Sequence, residues 1–243
     1  MSYENKVLLN TRETSPVLTT DGGGDSYARG TKRGEAVEQS VNDFLYAIEG
    51  SYAILSNPTP GTAIVSQASI TAYDATKDVL HILNSETTKA LWIRYIKLLV
   101  GTVPGGSGTQ KYELRVDTQT GYTSGGTALT AKRTNRAVAS PLGNVTAFAG
   151  ALTTVAGSSG IEKTYSGELR NGVGLAGDTF ILSFGDVMHM SGFLLPATTV
   201  GMQRTLHHGP LCVPPGCSLR MSHYGASPST AAQFEWEIGC YVR

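Results

Sequence analysis

The stretch Gln233-Phe234-Glu235-Trp236-Glu237-Ile238-Gly239-Cys240-Tyr241-Val242 decides the fold. In an extended chain, Phe234, Trp236, Ile238 and Cys240 fall on one side, and Glu235, Glu237 and Gly239 on the other. A helix would scatter the same residues around its circumference. The reading is a strand with one face in a core and the other wet.

Working outward, the neighbouring segments follow the same rule. Ser218–Tyr224 and Leu206–Val213 read as strands around the turn Pro214-Pro215-Gly216, and Thr179–Phe184 follows the turn Gly177-Asp178. In Lys111–Asp117, Tyr112, Leu114 and Val116 alternate with Lys111, Glu113 and Arg115, which predicts a half-exposed strand. Thr88–Val100 places Leu91, Ile93 and Tyr95 opposite Trp92, Arg94, Ile96 and Leu98, so both faces are apolar. Ala63–Tyr73, Val79–Leu83, Thr146–Val155 and Lys163–Leu169 add further strands, while residues 118–145 read as a long surface loop. About eight to ten strands divided by turns predict an all-β sandwich or barrel.

Composition agrees. Of the 243 residues, 40% are hydrophobic and 16% charged, with 29 glycines. Soluble chains usually carry roughly 25% charge, so much of this surface is expected to be covered by partners. Nineteen basic residues balance nineteen acidic ones, which leaves no overall footprint for nucleic acid. A local basic patch at Lys132, Arg133 and Arg136 reads as a solvated loop. No stretch reaches the roughly 18 apolar residues of a membrane span. The polar start MSYENKVLLNTRETSP lacks the order of a secretory signal, so synthesis in the cytoplasm is expected.

Residues 1–57 read as an N-terminal arm and linking segment, and residues 58–243 as the sandwich domain. The glycine-rich run Asp21–Ser26 supports no packed element. Within 35–49, Val37, Val41, Phe44, Leu45 and Ile48 lie on one helical stripe. That segment is either a short helix or an extended piece clamped on the sandwich.

Signals for chemistry are weak. The five histidines, His81, His189, His207, His208 and His223, show no His-x-His alternation, and His207 and His208 point to opposite faces of a strand. His207, His208, Cys212 and Cys217 are zinc-ligand types, but their spacing fits no familiar site. Cys212, Cys217 and Cys240 are expected to be free thiols, with a Cys212–Cys217 bridge as the alternative. Glu235 and Glu237 share one strand face at a separation that can serve acid–base catalysis, yet alternation explains them fully. Tyr122 and Tyr224 lie where rings could meet a sugar, and tyrosine serves interfaces equally well. No catalytic residue, metal ligand or cofactor is expected.

Six segments carry a resemblance: Asn57-Pro58-Thr59-Pro60-Gly61-Thr62, Ala72-Tyr73-Asp74-Ala75-Thr76-Lys77, Ser124-Gly125-Gly126-Thr127-Ala128-Leu129, Gly177-Asp178-Thr179, Val213–Leu219 and Gln233–Gly239. Together they resemble the jelly-roll structural proteins of tailed bacteriophages, from about residue 28 onward. The resemblance implies a jelly-roll β-sandwich with an extended N-terminal arm. It implies a non-enzymatic virion part, a capsid decoration or cement protein on the head surface. The implied partners are the major capsid protein and further copies of the chain, as a homotrimer. A receptor- or glycan-binding fibre module and a cupin-like enzyme are the alternatives from other classes.

Overall fold

A computed structural model describes residues 46, 47, 50–67, 71–103, 109–135, 137, 142–155, 160–171, 174–185, 203–225 and 230–243. These residues form fourteen strands in two sheets. The first sheet holds β1 (Tyr52–Ser56), β2 (Ile64–Val65), β4 (Leu91–Thr102), β7 (Thr130–Arg133), β10 (Thr179–Phe184), β11 (Gln203–His208), β12 (Leu211–Val213) and β14 (Gln233–Val242). The second holds β3 (Leu80–Asn84), β5 (Gln110–Asp117), β6 (Tyr122–Ala128), β8 (Val145–Thr154), β9 (Ile161–Arg170) and β13 (Ser218–Gly225).

The strand order is β11-β10-β4-β14-β1-β7 in the first sheet and β6-β8-β3-β13-β5-β9 in the second. β10 and β12 share one edge of β4 end to end, and β1 and β2 share one edge of β14. Every pairing is antiparallel except β10 with β11. The two inner faces close on one core, with Ile96, Phe180, Phe234, Trp236 and Ile238 from the first sheet against Leu80, Ile82, Leu114, Leu219 and Met221 from the second. Each such side chain contributes about 1.5–3 kcal/mol on burial.

The alternation of β14 holds: Phe234, Trp236, Ile238 and Cys240 are buried, and Glu235 and Glu237 lie on the outer side. In β4 the alternation changes phase. Gly239 pairs with Tyr95 and Cys240 with Ile93, so one extra residue sits in β4 at this bulge. Leu91 and Ile93 therefore point inward with Ile96, Leu98 and Val100, while Tyr95 turns outward. This corrects the face expected for Tyr95.

Three further expectations change. Residues 118–145 contain β6 and β7, exposed edge strands whose glycines and small residues carry no alternation to read. Among its described residues, Ala63–Tyr73 contributes β2 alone. β1 lies inside the stretch read as a linking segment, yet Ala53 and Leu55 are core residues. The arm, residues 1–30, lies outside the described residues, as does 35–45. Of residues 35–49, read as either a short helix or an extended piece, Tyr46 and Ala47 are described and helical. Gly50 donates to Ala47 O and Ser51 to Tyr46 O, with Gly50 at φ 76°: the hydrogen-bond pattern of a Schellman C-cap.

Candidate interaction surface

Of the face of Lys111–Asp117 expected to be wet, Lys111 is exposed and Arg115 is buried. Arg115 and Asp117 of β5 and Arg220 of β13 are buried because residues 71–79 fold over them. Asp78 lies at the centre. Its Oδ1 accepts from Ser222 Oγ at 2.8 Å and from Arg115 Nη2, and its Oδ2 from Arg220 Nε at 2.7 Å and Thr154 Oγ1 at 2.9 Å. Arg220 also donates to Asp117 Oδ2 at 3.1 Å and to the carbonyls of Ala75 and Val155. Arg115 Nη1 donates to Tyr73 Oη at 2.5 Å, and the guanidinium lies 5.0 Å from that ring centre. Two arginines and two aspartates cancel in charge. With four donors on Asp78, the cluster offers no free base; it stitches the covering segment to the sheet.

The histidines lie apart. His81 Nε2 faces Thr120 O, and burial lowers its pKa. His207 and His208 are adjacent on β11, pairing with Ser183 and Phe184 of β10 and so facing opposite ways. His208 Nε2 is 2.7 Å from Tyr112 Oη, and its ring stacks on Tyr165 at 4.7 Å. Burial lowers the pKa of His208 and pushes Tyr112 up to about 12. His223 sits in the core, edge-on to Phe234, and burial brings it down to about 4. His189 is outside the described residues. Among the described residues, no three His, Cys, Asp or Glu side chains converge as a metal site would require. Cys212, Cys217 and Cys240 are free thiols, and burial pushes Cys240 up to about 12.

The tyrosines singled out for sugar contact are engaged within the fold. Tyr122 stacks on Phe148 at 4.6 Å, and Tyr224 meets Tyr73 edge-on at 6.1 Å. Lys132 and Arg133 lie on the exposed edge strand β7; Arg136 is outside the described residues. A groove of about 500 Å³ between β2 and β6, lined by Thr59, Thr62, Ile64, Val65 and Thr127 among others, contains no titratable side chain.

The outer face of the first sheet is different. Tyr46 stacks on Tyr241 at 4.1 Å, and Tyr241 stacks in turn on Trp92 at 6.4 Å. Arg243 closes the stack: its Nη1 donates to Tyr46 Oη at 2.8 Å. Further along, the bulge lays Tyr95 over Gly239, and Tyr95 Oη donates to Glu237 Oε1 at 2.9 Å. Glu237 also accepts from Lys97 at 3.4 Å, so it is a tethered carboxylate, and the expected wet face is half covered. A Cβ at Gly239 would collide with the Tyr95 ring and Tyr52 Oη. Gly239→Ala is accordingly expected to lower stability by about 1–3 kcal/mol in urea denaturation. This aromatic stack covers the outer face of the first sheet where the chain enters the sandwich, and Tyr46 is buried in it. The chain matches no family model, no curated protein and no solved structure.

Proposed function

We propose that the protein is a virion structural protein, a capsid decoration or cement protein built on a jelly roll. The carrying observation is the strand order. Setting aside β2, β6–β8, β11 and β12 leaves β1-β14-β4-β10 facing β3-β13-β5-β9. Along the chain, each strand then crosses to the opposite sheet except β5 to β9. Two interleaved Greek keys give this order, a pattern used by viral capsid domains, lectins and cupins. Among those three uses, two features favour the capsid role. The ionic cluster is spent on holding the roof over the second sheet, and the turn and strand motifs resemble bacteriophage head proteins.

In this reading the sandwich is a rigid cap and residues 1–30 anchor it to the major capsid protein. An arm that orders on binding wraps a large surface, and repeated weak contacts on a symmetric shell add up to avidity. Removing residues 1–30 and measuring binding to empty shells tests this. Loss of binding by a protein with an unchanged melting temperature is expected, and undiminished binding refutes the anchoring role.

A further inference from the structure

Four strands end the two sheets, β7 and β11 the first, β6 and β9 the second, and each pairs on one side only among the described residues. An open edge offers its backbone groups to another strand, and charge decides whether a like strand can use it. β6 carries no charge and is interrupted by two shifts of register. β7 ends in Lys132 and Arg133, and β11 carries Arg204 and two histidines, so neither edge holds an acidic residue. β9 differs. It is ten residues long, contains no proline, and holds Glu162, Lys163, Glu168 and Arg170.

The pairing with β5 fixes which of these residues face outward together. Lys163 lies opposite Arg115, Ser166 opposite Glu113 and Glu168 opposite Lys111, with Thr164 passed over at a shift of register. That extra residue brings Lys163 and Glu168, an odd number of positions apart, onto one face of the strand. Lys163 and Ser166 are exposed, and Lys163 Nζ lies 3.4 Å from Glu113. On the inner face Tyr165 packs against the core, and its Oη donates to Pro210 O at 3.1 Å, which ties the strand to the turn before β12.

We propose that β9 pairs antiparallel with β9 of a second copy of this chain, about a two-fold axis at Ser166. Turned about that axis, Ser166 meets its own copy and Tyr165 meets Gly167. With Thr164 passed over again, Lys163 meets Glu168 at both ends. A two-fold contact works only where each group meets its complement, and β9 carries one charge of each sign equally far from Ser166. The second sheets of the two copies then run on as one. The surface involves no part of residues 1–30, on which the capsid reading is tested.

The test is sedimentation of the full chain from roughly 1 to 100 μM, a range that detects micromolar association. The wild type is expected to dimerise. Lys163→Glu and Glu168→Lys each set like charges against each other at both ends, and each is expected to weaken association at least about tenfold. An equal mixture of the two variants sets an acidic edge against a basic one and is expected to dimerise as the wild type does. Mixing cannot repair the Lys163–Glu113 contact within a chain, so recovery reports the contact between chains. Ser166→Cys is expected to form a chain-to-chain disulfide with oxidised glutathione, since paired strands hold opposed Cα atoms within bridging distance. Lys77→Cys, exposed on the covering segment, and the wild type are expected not to; this decides the matter if the charge variants fail to fold. A monomeric wild type, single variants that associate undiminished, a mixture that stays monomeric, or equal cross-linking at both positions overturns the proposal.

Discussion

Replacing Asp78 with alanine is expected to destabilise the fold by about 3–5 kcal/mol, the usual consequence of breaking a buried ion pair from one side. Asp78 accepts from Arg115, Arg220, Ser222 and Thr154 in a site closed to solvent. Its loss leaves Arg115 without its buried carboxylate and Arg220 with Asp117 alone, and removes the side chain through which residues 71–79 bind both arginines. Domains are stable by about 5–15 kcal/mol, so this is a large fraction of the total. At about 2–4 °C per kcal/mol for a domain of this size, the melting temperature is expected to fall by roughly 10 °C. The half-exposed pair Lys97–Glu237 makes the control: Lys97→Ala is expected to cost less than about 1 kcal/mol. An Asp78→Ala protein within about 1 kcal/mol of wild type would show that the network does not pin the roof.

Acid is expected to weaken the fold through His223 well before carboxylates titrate in bulk. Its imidazole is buried with Nε2 unpartnered, and its pKa is lowered from 6.5 to about 4 by burial. Between those values the unfolded chain binds a proton that the folded chain does not, so stability rises with pH in this window and falls as pH drops. Below about pH 6.5 the loss is about 1.4 kcal/mol per pH unit, reaching about 3 kcal/mol near pH 4. Burial lowers His81 and His208 as well, adding slope of the same sign. Urea denaturation from pH 7.5 to 4 measures the effect. His223→Leu should flatten the curve, and an unchanged slope in that variant would remove His223 as the cause.

The all-β class was legible because the core strands alternate. In β14, Phe234, Trp236, Ile238 and Cys240 are read directly, and β5, β8, β10 and β13 follow. Alternation failed where a strand has no wet face to contrast with a dry one. β6 and β7 are exposed on both sides, and the bulge at Tyr95 reversed the phase of β4. The ionic cluster was hidden for a different reason. Arg220 lies between Leu219 and Met221, and Asp78 stands beside Val79; each reads as the polar member of an alternating strand or turn. Only the return of residues 71–79 over the second sheet turns those wet positions into buried ones, and that contact spans more than a hundred residues of sequence.

The central claim, a jelly-roll protein that decorates a viral head shell, is tested most directly by electron microscopy of the purified particle. The account predicts that density for this sandwich repeats at symmetric positions on the outside of the head shell. Density confined to the tail, or particles that lack the protein, would contradict it.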